Sequence, residues 1–124
     1  MLNNLRIFVV IPSYKVKKHI VNVVENIPNF VDSIVVIDDA CPQQSGHYAK
    51  EQIDINNLHI LFHETNKGVG GAVISGYRYA LENEADIVVK VDGDGQMDPN
   101  QIEKLASPIV SGIAGYAKGN RFRD

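Results

Sequence analysis

The sequence predicts an α/β fold: an open, doubly wound, mostly parallel sheet with helices on both faces. Three observations predict it. Four short runs are almost wholly apolar and rich in branched residues: Ile7 to Ile11, Ile34 to Ile37, Leu58 to Phe62, and Ile87 to Val91. Their hydrophobicity is continuous rather than alternating, as in strands covered on both faces. Segments of helical periodicity separate the runs, which gives βαβ units with right-handed crossovers.

In chain order, the first run is followed by Val16, Ile20, Val23, Val24 and Ile27 at helical spacing, closed by Pro28. After the second run, the stretch from Cys41 to Ile55 is polar and without a clear period, consistent with a loop and a short helix. Beyond the third run, Val69, Ala72, Val73, Gly76, Tyr77, Ala80 and Leu81 form a second amphipathic stripe. The fourth run is interrupted by Lys90, so one face of that strand is expected to be partly wet. A further helix is expected from Asp98, which can cap it, with Pro99 in the first turn and Gln101 at the third position. Pro108 limits or kinks that helix. No internal repeat, low-complexity tract or linker divides the chain.

Size and composition narrow the function without naming it. At 124 residues the chain suits one domain, and its 44% hydrophobic content is ordinary for a globular protein. A net charge of −3 gives no reason to expect a nucleic-acid partner, which needs a concentrated basic face. The single cysteine, Cys41, cannot form an internal disulfide, in keeping with a reducing, cytoplasmic setting. No apolar stretch approaches the length of a membrane span, and the first residues lack a signal peptide's long apolar region.

In an open α/β sheet, ligands sit beyond the carboxyl ends of the strands. The sequence places its polar and glycine-rich residues there. Pro12-Ser13-Tyr14 follows the first run, and Asp38-Asp39 the second. Glu64 to Gly71 follows the third, and Asp92-Gly93-Asp94-Gly95-Gln96 the fourth.

The last of these carries the most chemistry. Asp92 and Asp94, separated by one glycine, can turn both carboxylates toward one hard cation. Mg²⁺ and Mn²⁺ take such oxygen ligands and keep positions for water and phosphate oxygens. The plainer alternative is a polar turn ending a strand. Asp38 and Asp39 are consistent with a solvated turn or with helix capping. They are equally consistent with a carboxylate that accepts from a base N–H or ribose hydroxyls. The glycines after Asn66 open the second amphipathic helix, where exposed backbone N–H groups favour anions. A tight strand-to-helix turn would need the same glycines. Lys67 is solvated or neutralises phosphate, and Tyr14 stacks on a base or merely packs. None of the four histidines has a metal-ligand spacing, and each is read as surface or packing. The Arg121-Phe122-Arg123 tail is a basic phosphate contact or a frayed end.

The ordered set Pro-x-Tyr, Asp-Asp, Asn-x-Gly-x-Gly and Asp-x-Asp-x-Gln resembles the family 2 glycosyltransferases, which have the Rossmann-like glycosyltransferase A fold. Asp92 to Pro99 and the later Gly119-Asn120-Arg121-Phe122 most resemble the polyprenyl-phosphate, dolichol-phosphate mannose synthase-like branch. The resemblance covers essentially the whole chain. It implies that Pro12 and Tyr14 line the nucleotide pocket and that Asp39 contacts the base. Asn66, Gly68 and Gly70 would lie under the nucleotide and diphosphate. Asp92 would contact the ribose or the metal, while Asp94 and Gln96 ligate the Mg²⁺ or Mn²⁺ that bridges the phosphates. Arg121 matches a family arginine near the donor or acceptor phosphate.

The implied donor is a UDP- or GDP-sugar, and the acceptor polyprenyl phosphate or a growing polysaccharide. Two departures stand out. The family often continues Pro-x-Tyr with Asn-Glu, whereas Lys15 and Val16 follow here, which leaves the base open. The chain also stops just after the Arg121 motif, so residues 1–124 are expected to be the donor-binding part, with the acceptor-binding part absent. The longer protein would be cytoplasmic or peripheral at the cytoplasmic membrane face. A truncated sheet would expose an edge that favours self-association.

Rival functions fit less of the sequence. A dinucleotide-dependent oxidoreductase would use Gly68-Val69-Gly70 before a helix and Asp92 as its ribose acid. Its third glycine slot is Val73, where Gly or Ala is wanted, and it leaves Asp94, Gln96 and Asp38-Asp39 unexplained. A P-loop fails because Tyr77-Arg78 stands where Lys and Ser or Thr are needed. A nucleotidyltransferase would carry a glycine-rich basic signature where Pro12 to Lys15 stands. A non-catalytic nucleotide-sugar-binding module remains the other alternative.

Overall fold

The computed structural model describes residues 5–93. Its elements run β1 (Ile7–Ser13), α1 (Lys17–Glu25), β2 (Ser33–Asp38), α2 (Ser45–Gln52), β3 (Leu58–Phe62), α3 (Gly68–Glu82) and β4 (Ile87–Lys90). The four strands form one parallel sheet in the order β3-β2-β1-β4. The expected helix from Asp98 lies outside the described residues, as do Asp94, Gln96 and Arg121.

The continuous apolar runs are explained by cover on both faces. Pleating turns Ile7, Val9 and Ile11 of β1 to one side, where they pack with Val36, Val89 and the Ile20, Val23 and Val24 stripe of α1. Phe8 and Val10 turn to the other side, against Val35, Ile37, Val88 and the small residues Ala72 and Ala80 of α3. The first core also takes in Ala49 of α2, so α1 and α2 cover one face and α3 the other. That is the doubly wound arrangement. Each fully buried Val or Ile contributes roughly 1.5–3 kcal/mol, so the central strand β1 is the main anchor of the sheet.

Two local features fix where α3 lies. A Cβ added at Gly76 would stand 2.3 Å from Val10 Cγ1 and 2.9 Å from Ile37 Cδ1, so only glycine lets the helix axis approach this closely. At the amino-terminal edge of the sheet, Asp32 accepts from the Ile7 N–H at 2.8 Å and Asp86 from the Arg6 N–H at 2.8 Å. Those carboxylates are structural and hold the start of β1 between its neighbours.

The chain leaves β1 through α1 toward β2 and β3, and returns through α3 to β4 on the other flank of β1. The order therefore reverses between β1 and β4, the switch point at which such sheets open a crevice. Lys90 is half-buried at the end of β4, as its interruption of the apolar run predicts, and its Nζ lies 3.3 Å from Asp92 Oδ1.

Candidate nucleotide-binding cleft

A cleft of about 480 Å³ opens at the carboxyl ends of the strands. Pro12, Tyr14, Asp39, Asn66, Gly68 and Asp92, all singled out by the sequence, line it together with Ser13, Lys15, Val16, Val69, Ala72 and Gly93. Among the described residues, two that the sequence predicts are not part of its lining. Gly70 is exposed on the first turn of α3, with open space where a Cβ would be. Asp38 points to α2 instead: it is 4% exposed and accepts from the backbone N–H of Cys41 and of Gly46, each at 2.8 Å.

The β1 side of the cleft is an irregular turn tied to the loop before α2. Lys15 sits in the left-handed region at φ 58, where a branched or bulky side chain is strained and Asn or Gly is at ease. Its N–H donates to Cys41 Sγ at 3.0 Å, and the next N–H, of Val16, donates to Ser45 Oγ at 3.2 Å. Cys41 Sγ and Ser45 Oγ are themselves 3.1 Å apart. Burial pushes the Cys41 thiol up, but bonds from Ser45 and the N–H groups of Lys15 and Gln43 outweigh it and leave the pKa below its usual value. The Tyr14 ring is left 43% exposed and stands in the cleft wall rather than in the core, which suits stacking better than packing.

The floor is built around Asp39, which is 2% exposed. Its Oδ1 accepts from the Lys67 N–H at 2.8 Å and its Oδ2 from the Gly68 N–H at 2.9 Å. It thus takes two of the four amide groups that the start of α3 leaves without helical partners. His63 Nδ1 lies 2.7 Å from Oδ1, and His63 Nε2 lies 2.7 Å from Ser75 Oγ on α3. Asn66 completes the turn, donating to the Asp39 carbonyl at 3.2 Å and accepting from the Gly68 N–H at 3.0 Å. Gly68 has φ +80, which a side chain would resist. Burial alone would raise the Asp39 pKa; the hydrogen bonds from His63 and from the Lys67 and Gly68 backbone prevail and hold it below the ordinary 3.8.

His63 is the residue that sequence reasoning missed. It follows β3 directly, where polar site residues were expected, but a lone histidine has no period or spacing to mark it.

The β4 side supplies Asp92, with its side chain 48% exposed, and Gly93. A Cβ at Gly93 would stand 3.2 Å from the Pro12 carbonyl oxygen, so this glycine lets the acidic turn lie against the end of β1. Among the described residues no cluster of three metal-ligating side chains occurs. Of the proposed ligands only Asp92 is described. Its exposed carboxylate at the cleft has the chemistry a hard cation takes, and an ammonium already lies beside it.

Comparison with known proteins places the chain in a family. The chain is 37% identical over 132 residues to the UDP-N-acetylglucosamine--dolichyl-phosphate N-acetylglucosaminyltransferase of Methanococcus voltae, covering 95% of this chain and 53% of that protein. It is 30% identical over 115 residues to the undecaprenyl-phosphate mannosyltransferase of Micrococcus luteus, covering 85% and 44%. The chain thus spans about half the length of these curated relatives. Among solved structures, S. aureus TarS 1–349 in complex with UDP superposes with a TM-score of 0.68 at 24% identity, over 86% of this chain and 32% of that one. The glucosyl-3-phosphoglycerate synthase of M. tuberculosis gives 0.69 at 21% identity, over 88% and 42%. These two likenesses show the fold. Residues 8–124 match the model of Glycosyl transferase family 2, and with the dolichyl- and undecaprenyl-phosphate glycosyltransferases as its relatives the chain belongs to that family, in its polyprenyl-phosphate-like branch.

Proposed function

We propose that this chain is the donor-binding half of a glycosyltransferase that moves a sugar from a nucleoside-diphosphate sugar to polyprenyl phosphate. The observation that carries the reading is convergence. Residues from four strand ends, chosen from sequence order alone, line one cleft at the switch point. The donor is a UDP-sugar, a choice supported by the donor in the name of the Methanococcus voltae relative. The two relatives' names supply the acceptor class, a dolichyl or undecaprenyl phosphate. A lipid-borne acceptor in turn favours work at the cytoplasmic face of a membrane.

Tyr14 would stack on the base, and Asp39 would accept from its ring N–H. Asp92 with Asp94 and Gln96 would hold Mg²⁺ or Mn²⁺, which supplies Lewis-acid neutralisation of the departing diphosphate. The position of Asp39 supports a role for a cation. Its carboxylate already occupies the position an anion would take at the start of α3, so the helix start alone offers phosphate little. The phosphate acceptor is ionised at neutral pH and needs little base assistance to attack the anomeric carbon. Arg121 would meet the donor or acceptor phosphate.

A dinucleotide oxidoreductase is disfavoured by the topology. The glycine segment follows β3 and Asp92 follows β4, which are opposite edges of the described sheet rather than neighbouring strands.

Titration calorimetry with UDP and GDP, with and without Mn²⁺, tests the reading beside an Asp94→Ala variant. Metal-dependent binding of UDP that the variant loses is the expected result. A folded chain that binds neither nucleotide would remove the donor-site assignment.

A further inference from the structure

His63 has no part in the function so far and does not line the cleft, yet its imidazole is enclosed behind Asp39, with only 8% of the side chain exposed. It adds a side-chain bridge between two elements that Asp39 already joins through the Lys67 and Gly68 N–H groups. Nδ1 lies 2.7 Å from Asp39 Oδ1 at the end of β2, and Nε2 lies 2.7 Å from Ser75 Oγ in the second turn of α3. The charge state of Asp39 fixes the sense of the first bond, and the second follows for a neutral ring. An ionised carboxylate only accepts, so Nδ1 carries the proton and donates. In the neutral ring Nε2 then accepts from the Ser75 hydroxyl.

The consequence lies in how the acceptor positions of Asp39 are divided. Oδ1 takes two donors, His63 and the Lys67 N–H, while among the described residues Oδ2 takes one, the Gly68 N–H. Each carboxylate oxygen has about two such positions, so Oδ2 keeps one for a ligand in the cleft that Asp39 lines. Without His63 the carboxylate could turn about its terminal bond and share its donors otherwise, because that torsion is broad.

We propose that His63 is a positioning residue for base selection: braced by Ser75, it fixes Asp39 so that Oδ2 presents one acceptor to the ring N–H of a nucleobase. The role rests on the donor-site reading and extends it to specificity. Uracil and guanine carry a donor at that ring position, whereas cytosine and adenine carry a bare nitrogen that would face a carboxylate. The brace therefore rejects the second pair as well as favouring the first. A merely structural histidine would do neither, since loosening α3 weakens every nucleotide alike.

Two measurements on the full chain test this. In ¹⁵N spectra, His63 Nδ1 is expected to be protonated; a bare Nδ1 overturns the proposal without reference to any nucleotide. Calorimetry with UDP and CDP in Mn²⁺ then compares the protein with His63→Ala and His63→Asn. The protein is expected to prefer UDP by about tenfold or more, the scale of one charge-assisted hydrogen bond. His63→Ala should bring the ratio of affinities close to one. His63→Asn places an amide N–H where Nδ1 stood and should restore the ratio to within about threefold of the protein's own, although Ser75 loses its partner. A UDP preference that survives in His63→Ala, or an equal loss for both nucleotides, overturns the brace alone. A protonated Nδ1 in a protein that binds neither nucleotide overturns the donor-site reading, and the selectivity role falls with it.

Discussion

Substituting Gly76 by alanine sets two effects in one helix against each other. In the middle of a helix, alanine is favoured over glycine by about 0.5–1 kcal/mol, so propensity alone predicts a gain. The packing predicts the reverse. The new Cβ would lie 2.3 Å from Val10 Cγ1, where carbon atoms rest at about 3.5–4.0 Å, so helix and sheet must part by roughly 1.2 Å or Val10 must move. Val10 is fully buried, and Ile37 Cδ1 at 2.9 Å blocks the neighbouring direction. Overpacking of this kind costs about 1–3 kcal/mol, and the clash here falls at the upper end. The net loss is then about 2 kcal/mol, which for a chain of this length lowers Tm by roughly 8 °C. Gly70→Ala in the same helix is the control, because its Cβ would meet nothing within 4 Å. That substitution should raise stability by about 0.5 kcal/mol. Urea unfolding with an unchanged m-value reads both. If Gly76→Ala proves as stable as the protein, the close approach of α3 to β1 is wrong, and with it the placement of Gly68 and Ser75.

Two other predictions concern stability. Lys15→Asn should stabilise the chain by about 0.5–1 kcal/mol in thermal unfolding, because Asn tolerates the left-handed φ of 58 that lysine occupies under strain. Asp39→Asn should cost about 2 kcal/mol at neutral pH, since it trades an acceptor for a donor facing the amide groups that start α3. The same variant should also lose part of the acid sensitivity of folding. The Asp39 pKa is depressed in the fold, so its contribution is complete above the ordinary carboxylate value of 3.8 and is lost as pH falls below it toward the folded value. Urea midpoints between pH 6 and pH 3 should therefore fall less for Asp39→Asn than for the protein; parallel profiles would refute the assignment.

The strands and their order of function were legible because burial on both faces leaves a mark, the unbroken apolar run, that survives without any partner in view. The site was legible for a related reason: the topology sends every strand's carboxyl end to one edge, so residues distant in sequence need only a shared position relative to their strands. What could not be read were contacts with no period. The helix α2 has no stripe because it packs through Ser45, Gly46 and Ala49, small residues that propensity treats as loop or as neutral. Composition and spacing left Asp38 and Asp39 equivalent, and only the family resemblance singled out Asp39. Successive residues at the end of a strand point to opposite faces, so Asp38 serves α2 and Asp39 serves α3, and only Asp39 reaches the cleft. His63 was invisible because its partners are 24 and 12 residues away and lie on different elements.

That division of the aspartate pair accounts for a cleft both rigid and acidic. Each carboxylate closes the start of a helix on its own face, so α2 and α3 are tied to two successive residues where β2 ends. Rigidity of this kind fixes the cleft before any ligand arrives and lowers the entropy cost of ordering it. It has an electrostatic consequence. With Asp39 at the start of α3 and Asp92 across the cleft, a diphosphate meets two carboxylates where other nucleotide sites offer a bare helix start or a glycine cradle. The ammonium of Lys90, 3.3 Å from Asp92, offsets one of these charges only in part, because both side chains are open to water. Lys15 in the cleft lining supplies one positive charge to an anion, and the proposed cation at the acidic turn after β4 would supply more.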